Sequence, residues 1–365
     1  MGTVARVNDF RPGLEGVVAF ETEIAEPDRE GSALRYRGID IEELVGRYPF
    51  EQVWGLLVDG NFEPGMPEAE AIELQDPSGS VMADLQAGLA TLGPKWGLRQ
   101  LVDIEPEDAR DDLARLSAAA LSIVAQAARG ADRPRVPDAA VRQGENAAAQ
   151  FLIRWRGEAD PRHVQAVDTY WVSAAEHGLN SSTFCARVAA STGADCAAAM
   201  SSAVGALSGP LHGGAPTRVL KMLDEVELAG DAEQYVHDLL GRGERIMGFG
   251  HRIYRAEDPR ARVLRRTAKE LGSPRVEVAE ALEQAARAAL QEKSPDRVLE
   301  INVEFWAAVV LEIADVPPPM YPAMFACARV AGWSAHIVEQ RATGRLIRPS
   351  ARYVGAPAHR LADAS

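Results

Sequence analysis

A chain of 365 residues, 47% hydrophobic and 25% charged, has material for two domains around a large core, and its composition excludes a wholly disordered or low-complexity protein. Its 39 Lys and Arg against 53 Asp and Glu leave a net charge of −14, which argues against broad contact with nucleic acid or an anionic membrane, so an anionic ligand needs a local arginine cluster. Cys185, Cys196 and Cys327 are odd in number and lack CxxC spacing. With no signal-peptide core and no apolar run of about 18 residues, they predict buried free thiols in a cytoplasmic protein.

Gly13 to Glu23 alternates like a strand, and Leu34 to Gly38 predicts a second short one. Helices then take over, at Ile41 to Leu44, Phe50 to Leu57 with a stop at Gly60, Val81 to Leu92, and Glu107 to Ala128. Beyond the polar connection Arg129 to Pro137, the pattern predicts Val141 to Trp155, Pro161 to Ala175 and the Ala/Ser-rich run Ala197 to Leu207, which Gly209-Pro210 stops. A helix restarts at Pro216, burying Val219, Leu220, Met222 and Leu223. Asp231 to Gln234 reads as a capping box before Tyr235 to Leu240, and Ser273-Pro274 opens a helix to about Glu292. Pro317-Pro318-Pro319 breaks the chain before a long apolar helix, Pro322 to Gln340. The predicted fold class is mainly α with a small N-terminal β element. A large lobe, 1–214 with 311–365, and a smaller, more charged lobe, 215–310, would leave a cleft near His212.

Four polar sites fall at loops and helix ends. His177 lies in AAEHGLNSSTF, with Gly178 as a helix C-cap and Ser181 or Ser182 as the next N-cap, and alone reads as structural. His212 lies in GPLHGGAP beside a helix start, where the dipole and free N–H groups favour a neutral imidazole and a bound negative charge. In GFGHRIYRAEDPR, His251 follows Gly248 and Gly250, and Arg252, Arg255, Arg260 and Arg262 supply the local cationic cluster; a solvated helix end with surface ion pairs is the plainer reading. Glu304, in EINVEFWAAVV, is a carboxylate among Val303, Phe305 and Trp306. Burial there makes it a candidate base with a raised pKa, although the helix N-terminus favours its charge. Arg348 and Arg360 complete the set. Three histidines and a glutamate could bind metal, but no HxH, HExxH or CxxC pairing supports it and none is expected.

Together, EHGLNSSTF, GPLHGGAP, GFGHRIYRAEDPR, NVEFW and GWSAHIVEQRATGRLIRPSARYVG resemble the citrate synthase family, in its order and over most of the chain. The resemblance implies a mainly α two-domain homodimer whose lobes close over oxaloacetate and acetyl-CoA, condense them, and hydrolyse the thioester to citrate and CoA, with no cofactor beyond the acyl-CoA co-substrate. It implies that His212 hydrogen-bonds the acetyl carbonyl while Glu304 removes a methyl proton, that His251 polarises the oxaloacetate carbonyl, and that His177 helps hold oxaloacetate. Arg260 and Arg348 would grip its carboxylates, and the neighbouring subunit would lend Arg360. Arg252, Arg255 and Arg262, with Gly248 and Gly250, are weaker candidates for CoA.

The family usually carries aspartate where this chain has Glu304. One methylene moves the carboxylate by on the order of 1 Å, worth about 10²-fold in rate unless backbone, Phe305 or Trp306 compensates, which is the preferred reading. A 2-methylcitrate synthase using propionyl-CoA is the first alternative, since one methylene offers only about 1–3 kcal/mol of discrimination. The second is a homologue that binds these ligands and turns over poorly because of Glu304. A purely structural dimer has no use for three loop histidines and paired arginines.

Overall fold

The structure, a computed structural model, describes residues 10–28, 33–74, 77–212, 216–250, 254, 256–294 and 299–357. Three short strands, β1 (Ala25–Asp28), β2 (Ala33–Tyr36) and β3 (Ile39–Asp40), form an antiparallel sheet in sequence order, Ala25 opposite Tyr36 and Tyr36 opposite Ile39. Gly13 to Glu23 is not a strand. Gly13, Leu14 and Gly16 take positive φ and residues 11–19 are exposed on both sides, so the alternation finds no strand to pair with and no buried face there.

Helices follow as α1 (Ile41–Leu44), α2 (Phe50–Asp59), α3 (Val81–Trp96), α4 (Pro106–Arg129), α5 (Asp138–Val141), α6 (Ala147–Arg156) and α7 (Pro161–Ala174). The single helix expected at Val141 to Trp155 is instead α5 and α6. Gly144 packs so tightly that a Cβ would sit 2.7 Å from the Gln150 nitrogen, and Asn146 starts a new helix by accepting from the Ala149 N–H at 2.8 Å. Next come α8 (Ser181–Ser191) and α9 (Cys196–Leu207). The α8 N-cap is Asn180, not Ser181 or Ser182, and α7 ends before Gly178, at an Ala175 cap.

The second group is α10 (Pro216–Ala229), α11 (Ala232–Gly241), α12 (Pro259–Glu270) and α13 (Val276–Lys293). The Asp231 cap forms, its carboxylate accepting from the Gln234 N–H at 3.0 Å. Helices α10, α11 and α13 pack on one another, and α14 (Val303–Ile313) joins them and α12 to α7 of the first group.

The last helix, α15 (Tyr321–Thr343), is buried along nearly its whole length and packs against α2, α4, α7, α8 and α9. One polar cluster in this core spans three helices: Trp54 Nε1 donates to Ser117 Oγ at 3.0 Å, which lies 3.0 Å from Ser334 Oγ. All three cysteines are free; Cys196 and Cys327 are buried as expected, whereas Cys185 is only half-buried. Among the described residues no helix is long and apolar enough to cross a membrane, and no cluster of acids, histidines or cysteines is placed to hold a metal ion.

Candidate active site

The site begins where β2 meets the end of α7. The buried Tyr36 hydroxyl lies 3.0, 3.2 and 3.2 Å from the carbonyls of Val172, Ser173 and Glu176, and accepts from the Glu176 N–H at 3.3 Å. That staple ends α7 and turns the chain so that His177, itself buried, brings Nε2 to 3.0 Å from the Tyr254 hydroxyl.

Asn180 then launches α8 and places Ser182 as a hub. Ser182 Oγ accepts from Trp333 Nε1 at 3.2 Å, donates to Asn180 Oδ1 at 2.8 Å, and lies 3.0 Å from His212 Nε2. The hydroxyl has one hydrogen. Given to Asn180 Oδ1, it leaves His212 Nε2 as the donor to Ser182; turned to His212 instead, it leaves the ring hydrogen on Nδ1, where it can be donated outward. Burial lowers the His212 pKa, helped by the charge of Arg329, and the ring stands edge-on to Phe325 at 5.9 Å. The neutral imidazole anticipated from the nearby helix start is therefore secured mainly by desolvation.

Glu304 is the second residue of α14. Asn302 caps that helix by accepting from the Glu304 N–H at 3.0 Å, and burial pushes the Glu304 carboxyl up to about 6, with Arg260 opposing and Asp258 assisting. Asp258 is completely buried and organises both neighbours. It accepts from Arg260 Nε at 3.0 Å and Nη2 at 2.7 Å, and from the Val303 N–H, the first residue of α14, at 3.1 Å. Burial works against the Arg260 charge, but the Asp258 carboxylate outweighs it and holds that guanidinium above its ordinary pKa.

The segment leading to His251 is laced to the approach to α14. Gly250 N–H donates to Glu300 O at 2.8 Å, Asn302 N–H to Gly248 O at 2.9 Å, and Asn302 Nδ2 to Gly250 O at 3.1 Å. Gly248, at φ +81°, lies so close to Phe305 that a Cβ would stand 2.8 Å from that side chain, which gives this glycine a packing reason beside the ligand role expected of it.

Arg329 went unrecognised in the sequence reading. It lies on α15, its side chain is buried, and neither Nε nor Nη1 has a hydrogen-bond partner among the described residues. Burial lowers its pKa while Glu176 supports its charge, Arg260 opposes it, and its guanidinium sits 4.7 Å from the Phe325 ring centre. Bare buried guanidinium donors beside His212 and Arg260 are a place for an anion. The available signal was one arginine inside an otherwise apolar helix, ACARVAGW.

Of the other candidates, Arg262 ion-pairs with Glu42 at 2.7 Å, and Arg348 is exposed in the extended chain after α15, without an ion pair or hydrogen bond among the described residues. His251, Arg252, Arg255 and Arg360 lie outside the described residues. The described site thus joins a carboxylate poised near 6, a neutral histidine, a second histidine and two buried arginines. It can abstract a proton from a weak carbon acid, stabilise the resulting oxyanion and hold a dicarboxylate.

The family model "Citrate synthase, C-terminal domain" matches residues 13–350. A Mycobacterium tuberculosis protein provisionally named citrate synthase 2 is 63% identical, over 95% of this chain and 93% of its own length. A citrate synthase of Synechocystis sp. is 35% identical over 95% and 91%, and a 2-methylcitrate synthase of Shewanella oneidensis 32% over 94% and 94%. Among solved structures, the ternary complex of Thermoplasma acidophilum citrate synthase with carboxymethyl coenzyme A and oxaloacetate superposes with a TM-score of 0.80 at 27% identity, covering 97% of this chain and 99% of that one. The chain belongs to the citrate synthase family and is a transferase of the citrate synthase type.

Proposed function

We propose that the protein condenses acetyl-CoA with oxaloacetate and hydrolyses the product thioester to citrate and CoA. The observation that carries this reading is that Asp258 anchors both Arg260 and the first turn of the helix bearing Glu304, while the charge of Arg329 is felt by His212 and opposed by Arg260. Glu304 takes a proton from the acetyl methyl while His212 donates a hydrogen bond to the thioester oxygen, giving an enol. The enol carbon attacks the keto carbon of oxaloacetate, whose carbonyl His251 polarises, and water then cleaves the thioester. Arg260 and Arg329 hold the oxaloacetate carboxylates, with His177 beside them. The smaller helical group closes over the larger, and exclusion of water strengthens each of these contacts.

The protein acts as a cytoplasmic homodimer in this proposal. The free thiols support the compartment. Support for the dimer comes from the two terminal segments, where Val18, Leu346, Tyr353 and Val354 are all more than half exposed and Arg352 lies 5.7 Å from the Phe10 ring. Arg348 belongs to this exposed segment, so a second copy is its natural recipient. The 2-methylcitrate reading shares every residue named and is favoured by the Shewanella relative.

The deciding assay follows free CoA with a thiol reagent, supplying oxaloacetate and either acetyl-CoA or propionyl-CoA, with His251→Ala as control. Rapid release from acetyl-CoA that the variant loses is expected. Preference for propionyl-CoA moves the assignment to 2-methylcitrate, and no release with either, from folded protein, leaves a binding homologue.

A further inference from the structure

Three arginines are buried around the site, and each has one carboxylate for company. Arg260 closes on Asp258 through two hydrogen bonds, and Arg187 closes on Glu339 while donating to His336 Nδ1 at 2.9 Å and Gln340 Oε1 at 3.1 Å. Arg329 and Glu176 behave differently. Each charge favours the other, yet no hydrogen bond joins them: neither Nε nor Nη1 of Arg329 has a partner among the described residues, and the Glu176 oxygens are not bonded to that guanidinium.

Two neighbours hold this carboxylate back. Gly332 follows Arg329 by three residues, on the same face of α15, and leaves a slot that Glu176 Oε2 fills: a Cβ there would lie 2.0 Å from that oxygen. His336 lies one turn further along the same face. Its Nδ1 accepts from Arg187, so the ring hydrogen is on Nε2, 3.2 Å from Glu176 Oε1.

A buried guanidinium without any counter-charge is costly, but one locked in a closed ion pair must be released before it can bind a ligand. Coulomb attraction acts over several ångströms, whereas a hydrogen bond needs contact. We propose that Glu176 is a held-back counter-ion: it balances the buried charge of Arg329 without occupying its donors, and a substrate carboxylate takes over that role on binding. This makes Glu176, Gly332 and His336 positioning residues, and it rests on reading Arg329 as a ligand of oxaloacetate.

The test titrates oxaloacetate into the full-length protein by calorimetry and records melting without ligand, for the parent, Glu176→Gln, Gly332→Ala and the double variant. Glu176→Gln should melt lower yet bind oxaloacetate about tenfold more tightly, because the ligand now supplies the missing charge. Gly332→Ala should bind about tenfold more weakly, its methyl driving the carboxylate onto Arg329, and the double variant should recover that loss since a neutral amide holds a guanidinium far less tightly than a carboxylate does. Glu176→Gln that folds but binds no more tightly than the parent overturns the proposal, and decides the matter alone if Gly332→Ala does not fold. A merely structural role would lower melting and binding together. A parent that binds no oxaloacetate overturns the functional reading as well, whereas a parent that binds normally confines any failure to Glu176.

Discussion

Burial holds the Glu304 carboxyl at about 6, against 4.5 for an ordinary glutamate, and Glu304→Gln, which mimics the protonated acid, exposes both sides of that arrangement. The gap is worth about 2 kcal/mol against the charged form in the folded state. The sign follows from linkage: the folded protein binds this proton more tightly than the unfolded chain, so the penalty is absent below pH 4.5, grows between 4.5 and about 6, and is complete above. Urea unfolding should therefore find Glu304→Gln more stable than the parent by about 2 kcal/mol at pH 8 and equal to it at pH 4. CoA release should move the other way, falling about 10²- to 10⁴-fold in the variant. The parent's kcat/KM should lose about tenfold per pH unit below 6, since only the ionised base works. Stability differences independent of pH between 4 and 8, or an acid limb at 4.5 or lower, would refute the idea of a desolvated base.

Four further outcomes are expected. Glu304→Asp should cost about 10²-fold in kcat if the site is built around the longer side chain, measured in the same assay. Ser182→Ala removes the partner of His212 Nε2 and should lower kcat about tenfold with the fold intact by circular dichroism. Arg329→Lys exchanges a fork for a point charge and should raise the KM for oxaloacetate by one to two orders of magnitude, leaving the KM for acyl-CoA within about twofold. Asp258→Asn leaves Arg260 buried without its counter-charge and should cost about 3–5 kcal/mol in urea unfolding.

Much of the helical frame is legible in the residues because its punctuation is local. Pro106 and Pro161 stand at first-turn positions, Gly60 and Gly344 end helices in the left-handed region, and Asp231 caps where its spacing to Gln234 says it should. Gly13 to Glu23 misleads because alternation signals a strand only where one face is buried, and that depends on what lies across from it. The histidines and Glu304 stand out in sequence through glycines or apolar neighbours. Arg329 does not, since within Pro322 to Gln340 the apolar pattern absorbs it, and only its burial and bare nitrogens reveal it. Glu176 is hidden likewise: the residue before a conspicuous histidine gains meaning from Gly332 and His336, about 160 residues away on another helix.

Asp258 has a consequence for how this enzyme could be altered. A single carboxylate fixes both the Arg260 guanidinium and the first turn of the helix bearing Glu304. In the proposed reaction one side chain thus spaces the acceptor's grip from the base, as the hinge pin of a pair of tongs sets the gap of its jaws. Variation that adjusts the grip on the acceptor also displaces the proton-abstracting group. Selection for a longer acyl donor is therefore expected to leave Asp258, Arg260 and Val303 untouched and to accumulate changes in the residues that wall the acyl group instead.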